Sequence, residues 1–210
     1  MLAGANEEVT IIILKMDLKF DKEYWNSRYI NKETGWDIGF PSTPLKEYID
    51  TLTDKSLRIL IPGAGNAYEA EYLHSKGFGN VTVVDISEEA CEKLKNRIPD
   101  FPFKNIVCAD FFKTEGVFDI MLEQTFFCAI APSERNNYIE KANQILQPNG
   151  ALVGLLFQKE LFEDHPPFGG DEKIYRKLFG PLFNIQIMKT AHNSIEPRKN
   201  SELFIKMSPK

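Results

Sequence analysis

The stretch LRILIPGAGNA, residues 57–67, indicates the fold class of this chain. Its apolar first half is typical of a buried strand, and the two glycines of its second half permit a tight turn. Residues 66–76, which follow, have the pattern of an amphipathic helix that ends at Gly77. A strand, a tight turn and a helix in this order form the first unit of a parallel sheet, and the turn presents backbone N–H groups to a ligand.

The same alternation of short apolar runs and amphipathic stretches continues along the chain. Further strands are predicted at residues 81–85, 105–109, 117–124, 151–157, 183–190 and 201–207. The last two have no helix between them, which indicates an antiparallel hairpin. We therefore predict an α/β fold with a doubly wound, Rossmann-like, seven-stranded sheet, mostly parallel, with an antiparallel C-terminal hairpin.

Capping residues predict where the later helices begin. Ser87, followed by two glutamates, is a typical N-cap because its hydroxyl can accept a backbone N–H of the first turn. Residues 132–134 begin a helix that reaches Gln147, and the Pro-Asn-Gly sequence at 148–150 predicts a turn after it. Asp171 is the expected N-cap of the last helix.

Length and composition limit the chain to one ordinary domain, or at most a domain with a small appendage. Its 210 residues are 43% hydrophobic and 26% charged, which excludes the disordered, collagen-like and disulfide-scaffold classes. Lys and Arg number 25 and Asp and Glu number 30, which gives a net charge of −5. We therefore expect neither a nucleic-acid nor a membrane partner. No apolar run approaches the roughly 20 residues that cross a bilayer.

The cysteines do not form a metal-binding or disulfide pattern. Cys91, Cys108 and Cys128 are widely spaced, without a CxxC sequence or a neighbouring histidine cluster. We therefore predict no metal site and no disulfide framework. A cytoplasmic location follows as the expectation, since reduced thiols are typical of that compartment.

The N-terminal residues are unlike the rest of the chain. The apolar run at 9–14 follows two glutamates and lacks a cleavage site, so no secretion signal is expected. Two interpretations stay open: translation begins at Met16 and residues 1–15 are a flexible leader, or residues 9–14 form an extra edge strand. We expect residues 16–210 to form one domain. Its parts are a segment that covers the ligand (16–56), a binding core (57–157), and a lid with the closing hairpin (158–210).

Acidic residues follow the second and third predicted strands, on the same edge of the sheet as the glycine turn. Asp85 lies twenty residues after Gly65, where a carboxylate can accept the hydroxyls of a ribose. Asp110, followed by Phe111, can accept an adenine amino group while an aromatic ring packs on the base. These residues predict a nucleoside-like ligand.

Tyr68 argues against a dinucleotide. The GxGxxG fingerprint needs a small residue three positions after Gly65, because the helix must pack closely on the strand. A tyrosine at this position disfavours the pyrophosphate site of NAD or FAD. A nucleoside ligand without phosphates fits the sequence better.

Several short motifs are more specific than the glycine turn. They are Trp25, WDIG (36–39), TPL (43–45), LIPGAG (60–65), VDIS (84–87), FDIMLEQTFFCAI (118–130) and IEPRK (195–199). Together they resemble the thiopurine S-methyltransferase family of class I S-adenosylmethionine-dependent methyltransferases, which includes the plant halide and thiol methyltransferases. The resemblance extends from Tyr24 to Met207.

The resemblance implies S-adenosylmethionine as the cofactor. The residues expected to line the cofactor site are Trp25, Trp36, Gly63, Ala64, Gly65, Asp85, Ile86, Asp110, Phe111, Glu123 and Gln124. Phe127, His165 and Arg198 are expected on the acceptor side, and no residue is assigned a catalytic role. Cys128 is expected to pack in the core or in the pocket wall. The plant relatives carry Asp-Tyr where this chain has Glu-Gln, beside the methyl donor.

The acceptor is expected to be a small molecule. Methyl transfer from a sulfonium needs a nucleophile held in line in a dry site, and Trp25 and Trp36 can offer aromatic faces to the cation. A thiol, bisulfide, thiocyanate or halide needs little or no base, whereas an oxygen or nitrogen acceptor does. The Phe- and Pro-rich segment 157–168 favours such a soft nucleophile. A non-catalytic binding module and a nicotinamide-dependent oxidoreductase stay open as alternatives, and no oligomeric state is predicted.

Overall fold

Seven strands form one sheet in the order β3-β2-β1-β4-β5-β7-β6 in the computed structural model, which describes residues 20–210. The strands are β1 (Ile59–Pro62), β2 (Val81–Asp85), β3 (Ile106–Cys108), β4 (Phe118–Gln124), β5 (Leu146–Phe157), β6 (Phe183–Thr190) and β7 (Glu202–Pro209). Strands β1 to β5 pair in parallel, and β7 is antiparallel to both β5 and β6. The predicted doubly wound, Rossmann-like sheet with an antiparallel C-terminal hairpin is confirmed.

The α-helices of the described residues either precede the sheet or connect its strands. They are α1 (Lys22–Ile30), α2 (Thr43–Asp50), α3 (Tyr68–Ser75), α4 (Glu88–Arg97), α5 (Arg135–Ile145) and α6 (Glu172–Phe179). Both interpretations of the N-terminus, the leader 1–15 and the edge strand 9–14, lie outside the described residues. None of the helices in the described part of the chain is long and apolar enough to cross a membrane.

The predicted helix caps are present. The Ser87 hydroxyl accepts the N–H of Ala90, and the Asp171 carboxylate accepts the N–H of Ile174 at 2.7 Å. Each bond satisfies a donor that the first helical turn leaves free, so α4 and α6 begin where the sequence indicates.

The turn predicted at residues 148–150 has a different form. Phe118 pairs with Leu146, but the next pair of this ladder is Ile120 with Ala151, so four residues of β5 face one residue of β4. The Pro-Asn-Gly sequence is therefore a bulge within β5 rather than a turn before it. For the same reason α5 ends at Ile145, two residues before the predicted end.

Helices cover both faces of the sheet. Large apolar side chains join α5 and α6 to one face: Leu60, Met121, Tyr138, Ile139, Leu152 and Phe179. A second cluster joins α2, α3 and α4 to the other face: Leu45, Ile59, Leu73, Leu94, Ile120 and Val153. Because both faces are buried, a ligand meets the parallel strands at their carboxyl ends.

Candidate functional site

A cavity of about 870 Å³ lies at the carboxyl edge of the parallel strands. Its wall consists of the turn after β1, the loops after β2, β3 and β4, parts of residues 20–40, and residues 157–167 after β5. Eleven of the fourteen predicted site residues line it: Trp25, Trp36, Gly63, Ala64, Gly65, Asp85, Ile86, Asp110, Phe111, Gln124 and His165. The volume is within the range of sites that enclose a small organic molecule.

The turn after β1 needs both of its glycines. Gly63 and Gly65 each have φ of +54°, in the left-handed region that favours glycine. A Cβ on Gly63 would overlap the ring of Phe126, and a Cβ on Gly65 would lie 2.7 Å from the Tyr29 hydroxyl. The turn therefore has no room for side chains, and its backbone forms the cavity floor.

This turn is not built to hold a phosphate. The N–H of Ala64 donates to the carbonyl of Val84, and the N–H of Gly65 donates to the Asp85 carboxylate at 2.7 Å. These donors already have protein acceptors, so they are not available to an anion. A ligand whose polar groups near the turn are hydroxyls rather than phosphates matches this arrangement.

Asp85 ends β2 beside the turn, with Ile86 next to it on the cavity wall. One carboxylate oxygen accepts the N–H of Gly65, and the other accepts the N–H of Ser87 at 2.8 Å. Burial raises the pKa of Asp85, and these backbone hydrogen bonds oppose the rise. A carboxylate held on both oxygens keeps lone pairs for further donors, which is what the hydroxyls of a ribose require.

The loop after β3 supplies an acid and an aromatic ring. Asp110 accepts the N–H of Phe112 at 2.9 Å, which leaves its second oxygen without a partner among residues 20–210. The buried ring of Phe111 packs edge-on against Phe126 at 5.3 Å between centroids. This pair is suited to a flat heterocycle that carries an amino group.

Aromatic side chains from α1 and the following loop form a second part of the wall. Edge-to-face pairs join Tyr24 to Trp25 at 5.0 Å, Trp25 to Trp36 at 5.6 Å and Trp36 to Tyr29 at 5.8 Å. The Trp25 indole N–H donates to the carbonyl of Phe20 at 3.0 Å, which fixes its ring. A cation near these faces gains attraction from their π-systems.

The lid, residues 157–168, begins at the last residue of β5 and lies at the β4–β5 end of the cavity. The rings of Phe162 and His165 contact each other in a tilted arrangement, with centroids 4.0 Å apart, and His165 Nδ1 lies 2.9 Å from the Pro166 carbonyl. The N–H of Phe168 donates to the Cys128 carbonyl at 2.7 Å, which ties the lid to the loop after β4. The lid therefore presents an aromatic and proline-rich surface.

Three predicted site residues lie away from the cavity wall. Glu123 is 1% exposed, and its carboxylate faces Tyr138 and the backbone of the loop after β4. The ring of Phe127 is buried among Tyr138 and other core aromatics. Arg198 is buried, donates to the Trp36 carbonyl at 2.6 Å and lies 3.4 Å from the Glu202 carboxylate. It therefore anchors the backbone at Trp36 without lining the cavity.

The sequence reasoning missed polar residues that line the cavity. Asp37 accepts from the Asn66 amide at 2.5 Å, and Glu69 accepts the N–H of Ser42 at 2.8 Å. Burial raises the pKa of Glu69. Tyr29 also lines the cavity. Helical spacing offered a signal for it, since Tyr29 lies one turn after Trp25 on the same face of α1. Asp37 lies in the WDIG motif, which was the available signal for it, whereas Glu69 had none because its partner Ser42 is distant in sequence.

Arg135 was also missed. Its guanidinium, 6% exposed, donates to the Gly169 carbonyl at 3.0 Å and lies over the Phe127 ring at 4.8 Å. Among residues 20–210 no carboxylate lies within ion-pair distance of it. A buried cation without a counter-ion is costly, and it gives this region a positive potential.

Several solved structures with the same fold are named as methyltransferases. The chain superposes on the Burkholderia thailandensis 1,6-didemethyltoxoflavin-N1-methyltransferase with a TM-score of 0.74 and 15% identity, covering 100% of this chain and 92% of that one. The Synechocystis magnesium protoporphyrin IX methyltransferase gives 0.69 and 14%, covering 93% and 100%. The chain therefore has the Rossmann-like methyltransferase fold.

Sequence comparison identifies the family within this class. The model of the thiopurine S-methyltransferase family matches residues 20–208. The chain belongs to this family and is an S-adenosylmethionine-dependent methyltransferase. That assignment decides among the three functional classes that the sequence left open.

Curated relatives share about a quarter of their residues with this chain. A probable thiol methyltransferase 2 of Arabidopsis thaliana is 28% identical over 185 residues, which is 85% of this chain and 81% of the relative. Thiocyanate methyltransferase 1 of the same plant is 26% identical over the same shares. The thiopurine S-methyltransferase of Bos taurus is 25% identical over 80% of this chain and 78% of its own length.

The cavity fits the cofactor of this family. Its floor excludes side chains at Gly63 and Gly65, and Asp85 and Asp110 offer acceptors for hydroxyl and amino groups. Gln124 lines the cavity, while its amide oxygen is shielded from solvent and has no hydrogen-bond partner among residues 20–210. Such an oxygen needs a donor, and a bound molecule toward which the amide reorients can supply it.

Proposed function

We propose that this protein methylates a small soft nucleophile, a thiol, bisulfide, thiocyanate or halide, by in-line displacement. The observation that carries the proposal is the chemistry of the lid end of the cavity. Its wall there is apolar and aromatic, with Ile130, Phe157, Phe162 and the proline pair 166–167. A compact, weakly hydrated anion gains more from such a surround than a strongly hydrated one.

We infer that the two reactants lie on opposite sides of β1. Strands β2 and β3 lie on one side of β1, and β4 and β5 lie on the other. We place the nucleoside over Asp85 and Asp110, at the ends of β2 and β3. The acceptor then lies over the ends of β4 and β5, under the lid. The sulfur between them lies beside Trp25 and Trp36, which line the same cavity.

When bound, S-adenosylmethionine supplies a methyl group on a positively charged sulfur. The residues of this chain hold and shield the reactants. Asp85 would hold the ribose hydroxyls, Phe111 would pack on the base, and Trp25 and Trp36 would face the sulfonium. The lid would exclude water from the acceptor.

The lid end offers little general-base chemistry. Burial raises the pKa of the Cys128 thiol to about 12, so the thiol is protonated and uncharged at physiological pH. His165 lines the cavity with its Nδ1 2.9 Å from the Pro166 carbonyl and its Nε2 3.8 Å from the exposed Asp164 carboxylate, and Glu134 is exposed at the rim. An alcohol or amine needs a base placed at its proton, whereas a thiolate, thiocyanate or halide needs none.

Two further observations favour an anionic sulfur acceptor. The buried Arg135 guanidinium lies behind the lid and gives the region a positive potential. Two of the relatives are named for thiol and thiocyanate methylation. Both features agree with a soft anion as the acceptor.

A panel of acceptors tests the proposal. Release of S-adenosylhomocysteine would be measured with bisulfide, an aryl thiol, thiocyanate, iodide, a catechol and a primary amine. We expect the sulfur nucleophiles to exceed the catechol and the amine in kcat/KM by tenfold or more. A tenfold preference for the catechol or the amine would overturn the soft-nucleophile proposal while leaving the family assignment in place.

A further inference from the structure

The loop after β4, residues 124–127, has a backbone conformation that needs support. Thr125 has φ of +59°, in the left-handed region, where a β-branched residue is unfavourable. The loop nevertheless forms the cavity wall between the two proposed binding regions, through Gln124, Thr125 and Phe126. Neighbouring groups must hold it in this shape.

Glu123 supplies that support from inside the protein. One of its carboxylate oxygens accepts the N–H groups of Phe126 and Phe127, each at 2.8 Å. The other oxygen accepts the hydroxyl of Tyr138, on α5, at 2.7 Å. Three donors on a side chain that is 1% exposed make a closed arrangement, which we call the Glu123–Tyr138 clamp.

The neighbouring strand leaves space for the clamp. Gly154 pairs with Glu123 in the β4–β5 ladder. A Cβ at Gly154 would overlap the Cβ and the backbone of Glu123. A glycine inside a strand weakens it, so the close approach of Glu123 explains its presence here.

The residue next to the clamp has an unfilled hydrogen-bonding capacity. Gln124 lines the cavity, and its amide oxygen is shielded from solvent, without a partner among residues 20–210. Because adjacent residues of a strand point to opposite sides, the carboxylate of Glu123 and the amide of Gln124 face away from each other. Glu123 anchors the loop in the core, while Gln124 lies on the cavity side.

We propose that Glu123 and Tyr138 are positioning residues that hold the loop after β4, so that the Gln124 amide forms a hydrogen bond with the bound cofactor. The inference rests on the proposed function in placing the cofactor in this cavity. It is independent of which acceptor is methylated. Neither Glu123 nor Tyr138 needs to touch the cofactor.

Two conservative substitutions distinguish a positioning role of the clamp from a contribution to stability alone. Tyr138→Phe removes the hydroxyl but keeps the buried ring. Tyr175→Phe is the matched control, because Tyr175 is equally buried and its hydroxyl donates to the Phe157 carbonyl at 2.8 Å. We expect similar falls in melting temperature for both variants. Calorimetry should show that Tyr138→Phe weakens S-adenosylhomocysteine binding fivefold or more, and the control less than twofold. Equal losses of affinity in the two variants would overturn the proposal.

A double-mutant cycle tests whether the clamp acts through Gln124. Gln124→Leu removes the amide at similar side-chain volume. We expect it to weaken S-adenosylhomocysteine binding about tenfold without lowering the melting temperature. In that background Tyr138→Phe should have no further effect on affinity, since there is no amide left to position. Fully additive losses would overturn the proposal, as would unchanged affinity in Gln124→Leu.

Kinetics separate this inference from the acceptor proposal. The clamp variants should raise KM for S-adenosylmethionine more than KM for the acceptor. If no soft nucleophile is methylated but Tyr138→Phe still weakens S-adenosylhomocysteine selectively, the acceptor proposal fails and the clamp stands. Wild-type protein that binds no S-adenosylhomocysteine would overturn both.

Discussion

The two ends of the cavity are built in different ways. The end that we propose for the cofactor, at β1, β2 and β3, is made of short motifs: the glycine turn follows β1, Asp85 ends β2, and Asp110 lies two residues after β3. The end that we propose for the acceptor combines side chains from residues 20–40, 124–131 and 157–167. The first end is defined by backbone and carboxylate geometry, and the second by the packing of distant aromatic side chains.

This difference suggests how the two ends can vary. A change at the cofactor end disturbs a turn that two glycines and a carboxylate define, so few substitutions fit it. A change at the acceptor end alters the size and polarity of a chamber whose wall comes from several loops. The ends should therefore respond differently to substitution.

The largest expected effect comes from Arg198, which the resemblance placed on the acceptor side. Arg198→Met would leave buried Glu202 without its cation and the Trp36 carbonyl without its donor. We expect a loss of about 3 kcal/mol in the free energy of unfolding, measured by urea denaturation. Unchanged stability together with a raised acceptor KM would instead place Arg198 in the acceptor site.

The second effect concerns Glu123, between the two ends. Burial raises its pKa from 4.5 to about 7, against the hydrogen bonds from Phe127, Tyr138 and Phe126. The folded protein thus keeps a proton that the unfolded chain releases at lower pH. This proton contributes on the order of 3 kcal/mol to the free energy of unfolding. The contribution is fully present below pH 4.5 and is lost as the pH rises to about 7.

Glu123→Gln removes this titration. We expect wild-type melting temperature to fall relative to that of Glu123→Gln between pH 5 and pH 8. Tyr138, Cys128 and Tyr175, the titratable groups that sense Glu123, have raised pKa values and stay protonated over this interval. Parallel curves for the two proteins would show that Glu123 does not titrate there.

Asp85→Ala tests the cofactor end. Because the carboxylate is placed to accept hydroxyl donors, we expect S-adenosylhomocysteine to bind more weakly by about 1.5 to 3 kcal/mol in calorimetry. Asp100→Ala, at an exposed position outside the cavity, is the control and should bind as wild type does. Normal affinity in Asp85→Ala would remove this residue from the site.

The smallest effect tests the aromatic wall. S-adenosylmethionine carries a positive charge on sulfur, and S-adenosylhomocysteine does not. Trp25→Leu should therefore weaken the binding of S-adenosylmethionine more than the binding of S-adenosylhomocysteine, by about 0.5 to 2 kcal/mol. Competition calorimetry of both ligands measures the difference. An equal loss for the two ligands would mean that Trp25 contributes packing alone.

The sequence could predict that the glycine turn, Asp85 and Asp110 lie together, because topology alone brings them to one place. Parallel strands end at one edge, so the glycine turn, Asp85 and Asp110 had to be neighbours once the βαβ pattern was recognised. The hairpin at 183–190 and 202–209 followed from the absence of a helix between two apolar runs.

The acceptor end was less predictable, for identifiable reasons. Arg198 bonds to a residue 162 positions away, and no local pattern indicates such a contact. The pair Glu123 and Gln124 was a different case. Alternation along a strand means that both side chains cannot face one cavity, so applying that rule at the sequence level would have placed only one of them there.

The bonds from Gly65 and Ser87 to Asp85 also have a thermodynamic consequence. They order the glycine turn when the chain folds, so a ligand does not have to order it on arrival. The conformational entropy lost on binding then falls mainly on the ligand and on the lid. Enzyme without ligand should therefore protect the amide hydrogens of residues 63–65 from exchange as well as the complex does, whereas exchange in the lid should slow only in the complex.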